Sequence, residues 1–182
     1  AFVVGGSIEN FVALMNKKAK EIGLKDTNFV TPSGLDAKEH YTTAYELACL
    51  AAFAMKNDRF KEAAKAQTHT AYYGNPPYRR TITNHNKLLK LYEGANGIKT
   101  GFTKKSGRCL VSSATRDGKN LIAVTLNAPS DWQDHKTLLD LGFSSLKNEK
   151  IKYKTDKIYI DVVGGNKNTV AAIVPEVSLN TT

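Results

Sequence analysis

The sequence predicts an α+β fold, in which an antiparallel sheet is flanked by helices and is followed by the start of a small all-β domain. Helical patterns fill most of the first 66 residues, and three alternating apolar segments follow one another closely between residues 98 and 127. A further helical pattern begins at Ser130. Because strands that are grouped together and joined by short turns pair antiparallel, this order favours an α+β domain over an alternating parallel one.

Each early helical pattern begins at a side chain that caps helices, because Ser, Thr, Asp and Asn oxygens accept the first free backbone N–H groups. Thr43 and Glu46 have the spacing of a capping box, in which the hydroxyl and the carboxylate both bind the first turn. The predicted helices are residues 8–22 after Ser7 and before Gly23, residues 44–56 after Thr43, and residues 58–66 with Asp58 as the cap.

The strands are predicted from alternating side chains between turn signals. Residues 67–73 and 78–83 read as a hairpin or extended arm, and residues 98–103, 109–115 and 121–127 read as a three-strand meander. A helix follows over residues 131–141, before Gly142, then a charged linker over residues 148–156, and short strands over residues 157–163 and 169–174. We therefore expect one domain over residues 1–147 and the start of a second over residues 148–182.

The chain is basic, with 26 Lys and Arg against 17 Asp and Glu and a net charge of +9. This balance suggests a partner with negative charge, such as nucleic acid, an anionic membrane or an acidic polymer like the bacterial cell wall. The lysines are scattered and lack the interleaved aromatic residues of a single-strand binder, so nucleic acid is not expected. No apolar run is long enough to span a membrane.

The two cysteines lie within apolar segments, so Cys49 and Cys109 are expected to be buried thiols and not a disulfide. Without a Cys-x-x-Cys pair or closely spaced histidines, no metal or cofactor is expected. The first residues, beginning at Ala1, resemble neither a translation start nor a signal peptide. We therefore expect the chain to have been cut from a longer protein.

The triplet Lys99-Thr100-Gly101 lies on the first strand of the predicted meander. It matches one of the short motifs of penicillin-recognising serine enzymes. A lysine on an edge strand can also serve only to discourage aggregation, so the triplet needs supporting context.

Four segments in order supply that context, namely residues 11–20, 28–36, 40–48 and 97–101. Together they resemble the serine-type D-alanyl-D-alanine carboxypeptidases, the low-molecular-mass penicillin-binding proteins. The resemblance covers about residues 5–147 and implies a β-lactamase/transpeptidase-like fold that is incomplete here. Residues from about 150 onward resemble the start of the family's carboxy-terminal β domain.

The resemblance also implies roles for individual residues of an acyl-transfer site. Lys99 would be catalytic, providing positive charge beside the reacting centre and the substrate carboxylate. Thr100 would hydrogen-bond that carboxylate, and Gly101 would let the substrate backbone approach the strand closely. The backbone N–H of Phe102 would belong to the oxyanion hole. Thr103 is expected to contact the substrate as well.

Two positions near this strand depart from the family pattern or stay open. His85 lies in the segment before the strand, where relatives can have an arginine; it either attracts a carboxylate when protonated or is an ordinary loop histidine. Ser33 stands where many relatives have a histidine, and its role is unassigned.

The family's nucleophile motif, Ser-x-x-Lys, and its second motif, Ser-x-Asn, do not occur before Lys99. One match to each lies after it, at Ser144 to Lys147 and at Ser178 to Asn180, which is the wrong order. The sequence at Tyr73-Gly74-Asn75 mimics a variant of the second motif but lies outside the matching segments. We interpret all three as chance matches.

The parent protein is therefore expected to be an extracytoplasmic serine D,D-carboxypeptidase that shortens peptidoglycan stem peptides and is acylated by β-lactams such as penicillin. This chain alone is expected to be nearly inactive and to need the missing amino-terminal segment as its partner; a membrane anchor beyond Thr182 stays open. The alternatives are a β-lactamase and a non-catalytic wall-binding homologue.

Overall fold

The computed structural model describes residues 1–146 and, beyond them, residues 147–151, 158–161, 169–172 and 177–181. The chain divides into two compact units, Ala1–Phe143 and Ser144–Thr182. The predicted boundary between residues 147 and 148 lies close to this division, and the assignment of two domains stays a prediction.

The first unit contains six helices and five strands in the described residues. The helices are α1 (Phe2–Gly5), α2 (Ile8–Ile22), α3 (Ala44–Ala54), α4 (Asp58–Lys65), α5 (Leu88–Leu91) and α6, which continues into the second unit (Asp131–Ser145). The strands are β1 (Thr68–Tyr73), β2 (Tyr78–Thr83), β3 (Ala95–Thr103), β4 (Gly107–Arg116) and β5 (Lys119–Thr125). The predicted α+β arrangement is confirmed, whereas the short helices α1 and α5 were not predicted.

Two details of the helix caps differ from the prediction. The side chain that caps α4 is Asn57, whose Oδ1 accepts from the backbone N–H of Phe60, and not Asp58. Helix α6 also continues past Gly142, which the sequence suggested as its end. A Cβ at that position would lie 2.7 Å from a Leu121 methyl carbon, so this glycine allows α6 to pack closely on β5.

Glu46 serves a different purpose from the predicted second half of a capping box. Thr43 Oγ1 does accept a hydrogen bond from the Glu46 backbone N–H, at 3.2 Å. The Glu46 carboxylate instead accepts from the backbone N–H groups of Lys25 and Asp26 and from the Thr27 hydroxyl. Burial raises the pKa of this carboxyl, but these three hydrogen bonds outweigh burial and hold it below its ordinary value. Glu46 thus ties the loop after α2 to α3.

The central sheet has the order β3-β4-β5, with every pair antiparallel, as predicted for the meander. Helices α5 and α6 pack on one face, where the buried core consists of Leu88, Tyr92, Leu110, Ala114, Ala123 and Leu139. On the opposite face, a Cβ at Gly97 would lie 3.3 Å from Ala64 of α4 and 3.9 Å from Met55 after α3. The sheet is therefore flanked by helices on both faces.

Helix α6 is fixed to the sheet by a buried histidine. His135 is fully buried, and its two ring nitrogens lie 2.5 Å from Ser112 Oγ on β4 and 2.9 Å from Thr125 Oγ1 on β5. Burial lowers the pKa of His135 to about 4, although the charges of Asp131 and Asp134 act in the opposite direction. The ring is therefore neutral at pH 7.

The second unit contains two strand pairs in its described residues. Strand β6 (Lys147–Ile151) pairs with β9 (Val177–Thr181), and β7 (Ile158–Asp161) pairs with β8 (Thr169–Ala172), both antiparallel. Strand β6 occupies the first part of the segment that we predicted to be a linker, so that part of the prediction is wrong. The rest of that segment lies outside the described residues.

Cys49 and Cys109 are free thiols, so the prediction that they form no disulfide is confirmed, although both are half-buried and not fully buried. In the part of the chain that the structure describes, no helix is both long enough and apolar enough to cross a membrane.

Candidate active site

The predicted site residues lie along β3, which is an edge strand of the central sheet among the described strands. A cavity of about 380 Å³ opens beside this strand. Its lining includes Lys99, Thr100, Gly101 and Phe102, and also His85 from the segment before α5. The structure therefore brings together five of the six residues that the sequence predicted for the site.

The side chains of this strand leave its surface accessible. Lys99 is exposed, and its Nζ donates a hydrogen bond to the Thr100 carbonyl at 2.6 Å. Thr100 is half-buried, and Phe102 is 70% exposed. An edge strand with an exposed surface can accept an extended peptide as a further strand.

The two glycines of this strand have different surroundings. At Gly101 the backbone is not left-handed, and a Cβ would make only ordinary contacts, 3.7 Å from the Cβ of Cys109. At Gly97 a Cβ would lie 3.1 Å from Ser113 Oγ and 3.3 Å from Ala64, which is tight. Among the described residues, neighbours therefore crowd a side chain at position 97 but not at position 101.

An arginine that the sequence did not single out also lines the cavity. Arg108 lies on β4 opposite Phe102, and its guanidinium binds both carboxylate oxygens of Asp131, at 3.2 and 2.9 Å. Asp131 is buried and also accepts from the Trp132 backbone N–H, while the guanidinium carbon lies 5.7 Å from the centre of the Trp132 ring. Because planar, bidentate pairing fixes a guanidinium, Arg108 is held in place at the cavity wall.

Among the charged residues that line the cavity, cations outnumber acids. Lys87, Lys99 and Arg108 contribute positive charge, and Asp131 is the acidic residue in its lining. Since Asp131 is already paired with Arg108, the lysines leave an excess of positive charge. The site is therefore suited to a ligand that carries a carboxylate.

Thr103, the sixth predicted residue, lies at the end of β3 and does not line this cavity. Its hydroxyl donates to Asp36 Oδ1 at 2.8 Å and accepts from the Ser106 backbone N–H at 2.9 Å. Asp36 also accepts from the Ser106 hydroxyl, at 3.1 Å. These bonds anchor the loop that contains Ser33 beside the turn between β3 and β4, and a substrate contact for Thr103 stays a prediction.

Comparison with known proteins decides the family. The sequence model of the D-alanyl-D-alanine carboxypeptidases matches residues 1–130. The chain belongs to the D-alanyl-D-alanine carboxypeptidase family. Over 167 residues it is 36% identical to the D-alanyl-D-alanine carboxypeptidase DacF of Bacillus subtilis strain 168, a match that covers 86% of this chain and 39% of that relative.

Solved structures of the family have the same fold. The DD-transpeptidase of Streptomyces K15 matches with a TM-score of 0.70 and 34% identity, over 75% of this chain and 55% of that one. A D-alanyl-D-alanine carboxypeptidase from Mycobacterium tuberculosis H37Rv matches with a TM-score of 0.72 and 31% identity, over 79% and 56%. The chain spans only part of the curated carboxypeptidases that it matches. The matched part is 39% of the length of one such relative and 50% of the length of another.

The three chance motif matches fall in elements other than β3. Ser144 lies in the last turn of α6 and Lys147 begins β6, while the match at residues 178–180 lies on β9. Asn75 lies in the turn of the β1–β2 hairpin. Among the described residues that line the cavity beside Lys99, none comes from the Tyr73-Gly74-Asn75 match.

Ser112 and His135 also have the spacing of a nucleophile and its base, since a serine oxygen and a ring nitrogen are in contact. Both side chains are fully buried, so a substrate could not reach them. We assign this pair a structural function. Among the described residues, no cluster of three His, Cys, Asp or Glu side chains could hold a metal ion.

Proposed function

We propose that this chain forms the carboxylate-binding side of a serine D,D-carboxypeptidase, which removes the terminal D-Ala from peptidoglycan stem peptides and is acylated by penicillin. The observation that carries the proposal is the cationic cavity beside Lys99-Thr100-Gly101 on an accessible edge strand. A peptide that ends in D-Ala-D-Ala has one terminal carboxylate, and this cavity offers both hydrogen-bond donors and positive charge for it.

In the proposed site, the residues of β3 and β4 have different roles. The peptide adds along β3, and Gly101 gives its backbone room. Thr100 and Arg108 hold the terminal carboxylate, and Lys99 provides positive charge next to the carbonyl under attack. The Phe102 backbone N–H stabilises the oxyanion, which is the type of contact that accelerates acyl transfer most.

The attacking serine belongs, in this proposal, to a part of the protein outside residues 1–182. These residues contain no Ser-x-x-Lys before Lys99, and the chain covers 39% of the Bacillus relative. The enzyme works outside the cytoplasmic membrane, where peptidoglycan is located. Its partners are the stem peptide, β-lactam inhibitors and the amino-terminal segment of the same protein.

The test uses the full-length protein and a fluorescent penicillin. In Lys99→Ala we expect the rate of acylation to fall about a hundredfold, since a charged group beside the reacting carbonyl is lost. Lys104→Ala removes an exposed lysine from the turn that follows β3 and is the matched control, and Lys147→Ala tests the Ser144 to Lys147 match. Neither control is expected to slow acylation.

Equal losses in Lys99→Ala and in either control would contradict the proposal.

The lifetime of the penicilloyl adduct on the unmodified protein distinguishes the enzyme classes. A long-lived adduct together with release of D-Ala from a soluble peptide indicates a carboxypeptidase, whereas rapid hydrolysis of the adduct indicates a β-lactamase.

A further inference from the structure

The β1–β2 hairpin is an exposed arm that the proposed catalytic site does not use. Eleven of its twelve strand residues are exposed, and Ala71 alone is half-buried. Tyrosines lie on its surface: Tyr72 is 70% exposed, and the neighbouring pair Tyr73 and Tyr78 is 43% and 58% exposed. Exposed aromatic groups that lie together on a surface mark an interaction site more often than scattered ones do.

The register of the hairpin places at least one tyrosine and one arginine on each of its two faces. Tyr72 is opposite Arg79 on one face. Tyr73 is opposite Tyr78 on the other, where their ring centres lie 6.2 Å apart and Arg80 is the next residue but one along the strand. Neither arginine has a carboxylate within ion-pair distance in the part of the chain that the structure describes.

The charged side chains in and around the hairpin are all basic. Residues 63–92 contain five Lys and Arg and two His, but no Asp or Glu. Elsewhere in the chain acidic and basic residues are mixed, with 17 acids against the remaining 21 cations (26 less these 5). A local excess of this kind raises the concentration of anionic ligands near the surface.

The hairpin leads into the candidate active site. A second cavity, of about 550 Å³, lies at the base of the arm and is lined by Thr83, Leu89 and Lys90, among others. His85 and Lys87 line both this cavity and the one beside Lys99. One cationic surface therefore extends from the arm to the strand where the peptide is proposed to bind.

We propose that the hairpin and the cavity at its base bind the peptidoglycan strand that carries the peptide substrate, an inference that rests on the proposed function. The C–H faces of sugar rings stack on tyrosine rings, and arginines bind the carboxylates at the ends of neighbouring stem peptides. Single-stranded nucleic acid would also use aromatic and basic groups. Continuity with a site for D-Ala-D-Ala termini favours the wall polymer.

The experiment measures co-sedimentation of the full-length protein with purified peptidoglycan sacculi from which phosphate-linked polymers have been removed. Two variants alter the arm: Arg79→Ala with Arg80→Ala, and Tyr72→Ala with Tyr78→Ala. The matched control is Lys17→Ala with Lys20→Ala, which removes two exposed cations from α2. We expect each hairpin variant to raise the apparent Kd about fivefold, as exposed contacts of this type allow, and the control to leave it unchanged.

Two further measurements make the outcome specific. Arg79→Lys with Arg80→Lys keeps the charge, so it is expected to recover part of the affinity and to show that the arm still folds. Release of D-Ala from a soluble peptide is expected to be the same in the hairpin variants as in the unmodified protein, whereas release from sacculi falls.

Unchanged binding in both hairpin variants, or an equal loss in the lysine control, would overturn the proposal. Binding of a single-stranded DNA oligonucleotide as tightly as sacculi through the same arginines would also overturn it, as would a dimer that the tyrosine variant dissociates. If the unmodified protein releases no D-Ala but binds sacculi through the arm, the proposed function fails and the binding surface stands.

Discussion

At the scale of single residues, Gly97 and Gly101 differ in whether the surrounding fold requires glycine. Both lie on β3, yet a Cβ would be tolerated at Gly101 and crowded at Gly97. Among the described residues no neighbour requires glycine at position 101, so we propose that a ligand approaching this strand does. This contrast can be tested with two conservative substitutions.

We predict that Gly101→Ala in the full-length protein leaves the melting temperature almost unchanged but lowers the rate of penicillin acylation about tenfold, because the added methyl narrows the approach to the strand along which the ligand is proposed to bind. Gly97→Ala is the comparison. It forces Ser113 and Ala64 apart and is expected to lower the free energy of unfolding by about 1 kcal/mol or more. Thermal unfolding and fluorescent-penicillin labelling measure the two effects separately.

A Gly101→Ala protein that melts much earlier than the unmodified one would show that the glycine serves the fold. Normal acylation in a stable Gly101→Ala protein would instead remove Gly101 from the site.

The sequence alone predicted the site residues that are neighbours along the chain, but it did not predict that Arg108 belongs to the site. The triplet on β3 is contiguous, so pattern and resemblance both identify it. Arg108 and Asp131 are 23 residues apart in sequence and meet only because β4 pairs with β3 and α6 begins beside them. A partnership of this kind depends on strand register, which no local pattern contains.

At the scale of elements, local signals predicted α2 well and α6 less well. Ser7 caps α2 by accepting from the Asn10 backbone N–H, and Gly23 ends the helix in the left-handed region, so both ends depend on residues next to the helix. Gly142 carried the same stop signal for α6, but there the glycine serves a contact with Leu121 of β5. Tertiary packing therefore determines whether a helix ends at such a glycine.

The charged strand β6 was not predicted because apolar and polar residues do not alternate in its sequence.

The attachment of α6 to the sheet predicts how stability depends on pH. The pKa of His135 is about 4 in the folded protein, below the value of about 6.5 expected when the chain is unfolded. The unfolded state therefore binds the proton more readily, so stability is full above about pH 6.5 and declines as the pH falls towards 4. We expect this group to remove about 2 kcal/mol of unfolding free energy between about pH 7 and about pH 5.

Urea unfolding at the two pH values measures this effect in the unmodified protein, in His135→Gln and in a control, His69→Gln, which changes an exposed histidine on β1. We expect the pH dependence to be smaller in His135→Gln and unchanged in His69→Gln. An unaltered pH dependence in His135→Gln would assign the effect to other groups.

At the scale of the whole molecule, the two units predict where the protein can be shortened. Helix α6 contributes Leu139 and His135 to the first unit, and both side chains are almost fully buried. We propose that the first unit folds without the strands that begin at Lys147, whereas it depends on α6. The parent protein truncated after Leu146 is expected to keep penicillin labelling and to change its melting temperature by less than about 4 °C, which corresponds to about 1 kcal/mol.

The matched truncation ends after Ser130 and removes α6 as well. It exposes the sheet face around Leu110 and Ala114, and the loss of one buried leucine alone costs about 3 kcal/mol, so we expect it to lose both cooperative unfolding and labelling. Loss of labelling in the protein that ends after Leu146 would contradict the division, because it would show that the residues from Lys147 onward support the first unit. Equal stability of the two truncated proteins would contradict the importance of α6, because the buried contacts of His135 with β4 and β5 would then contribute little.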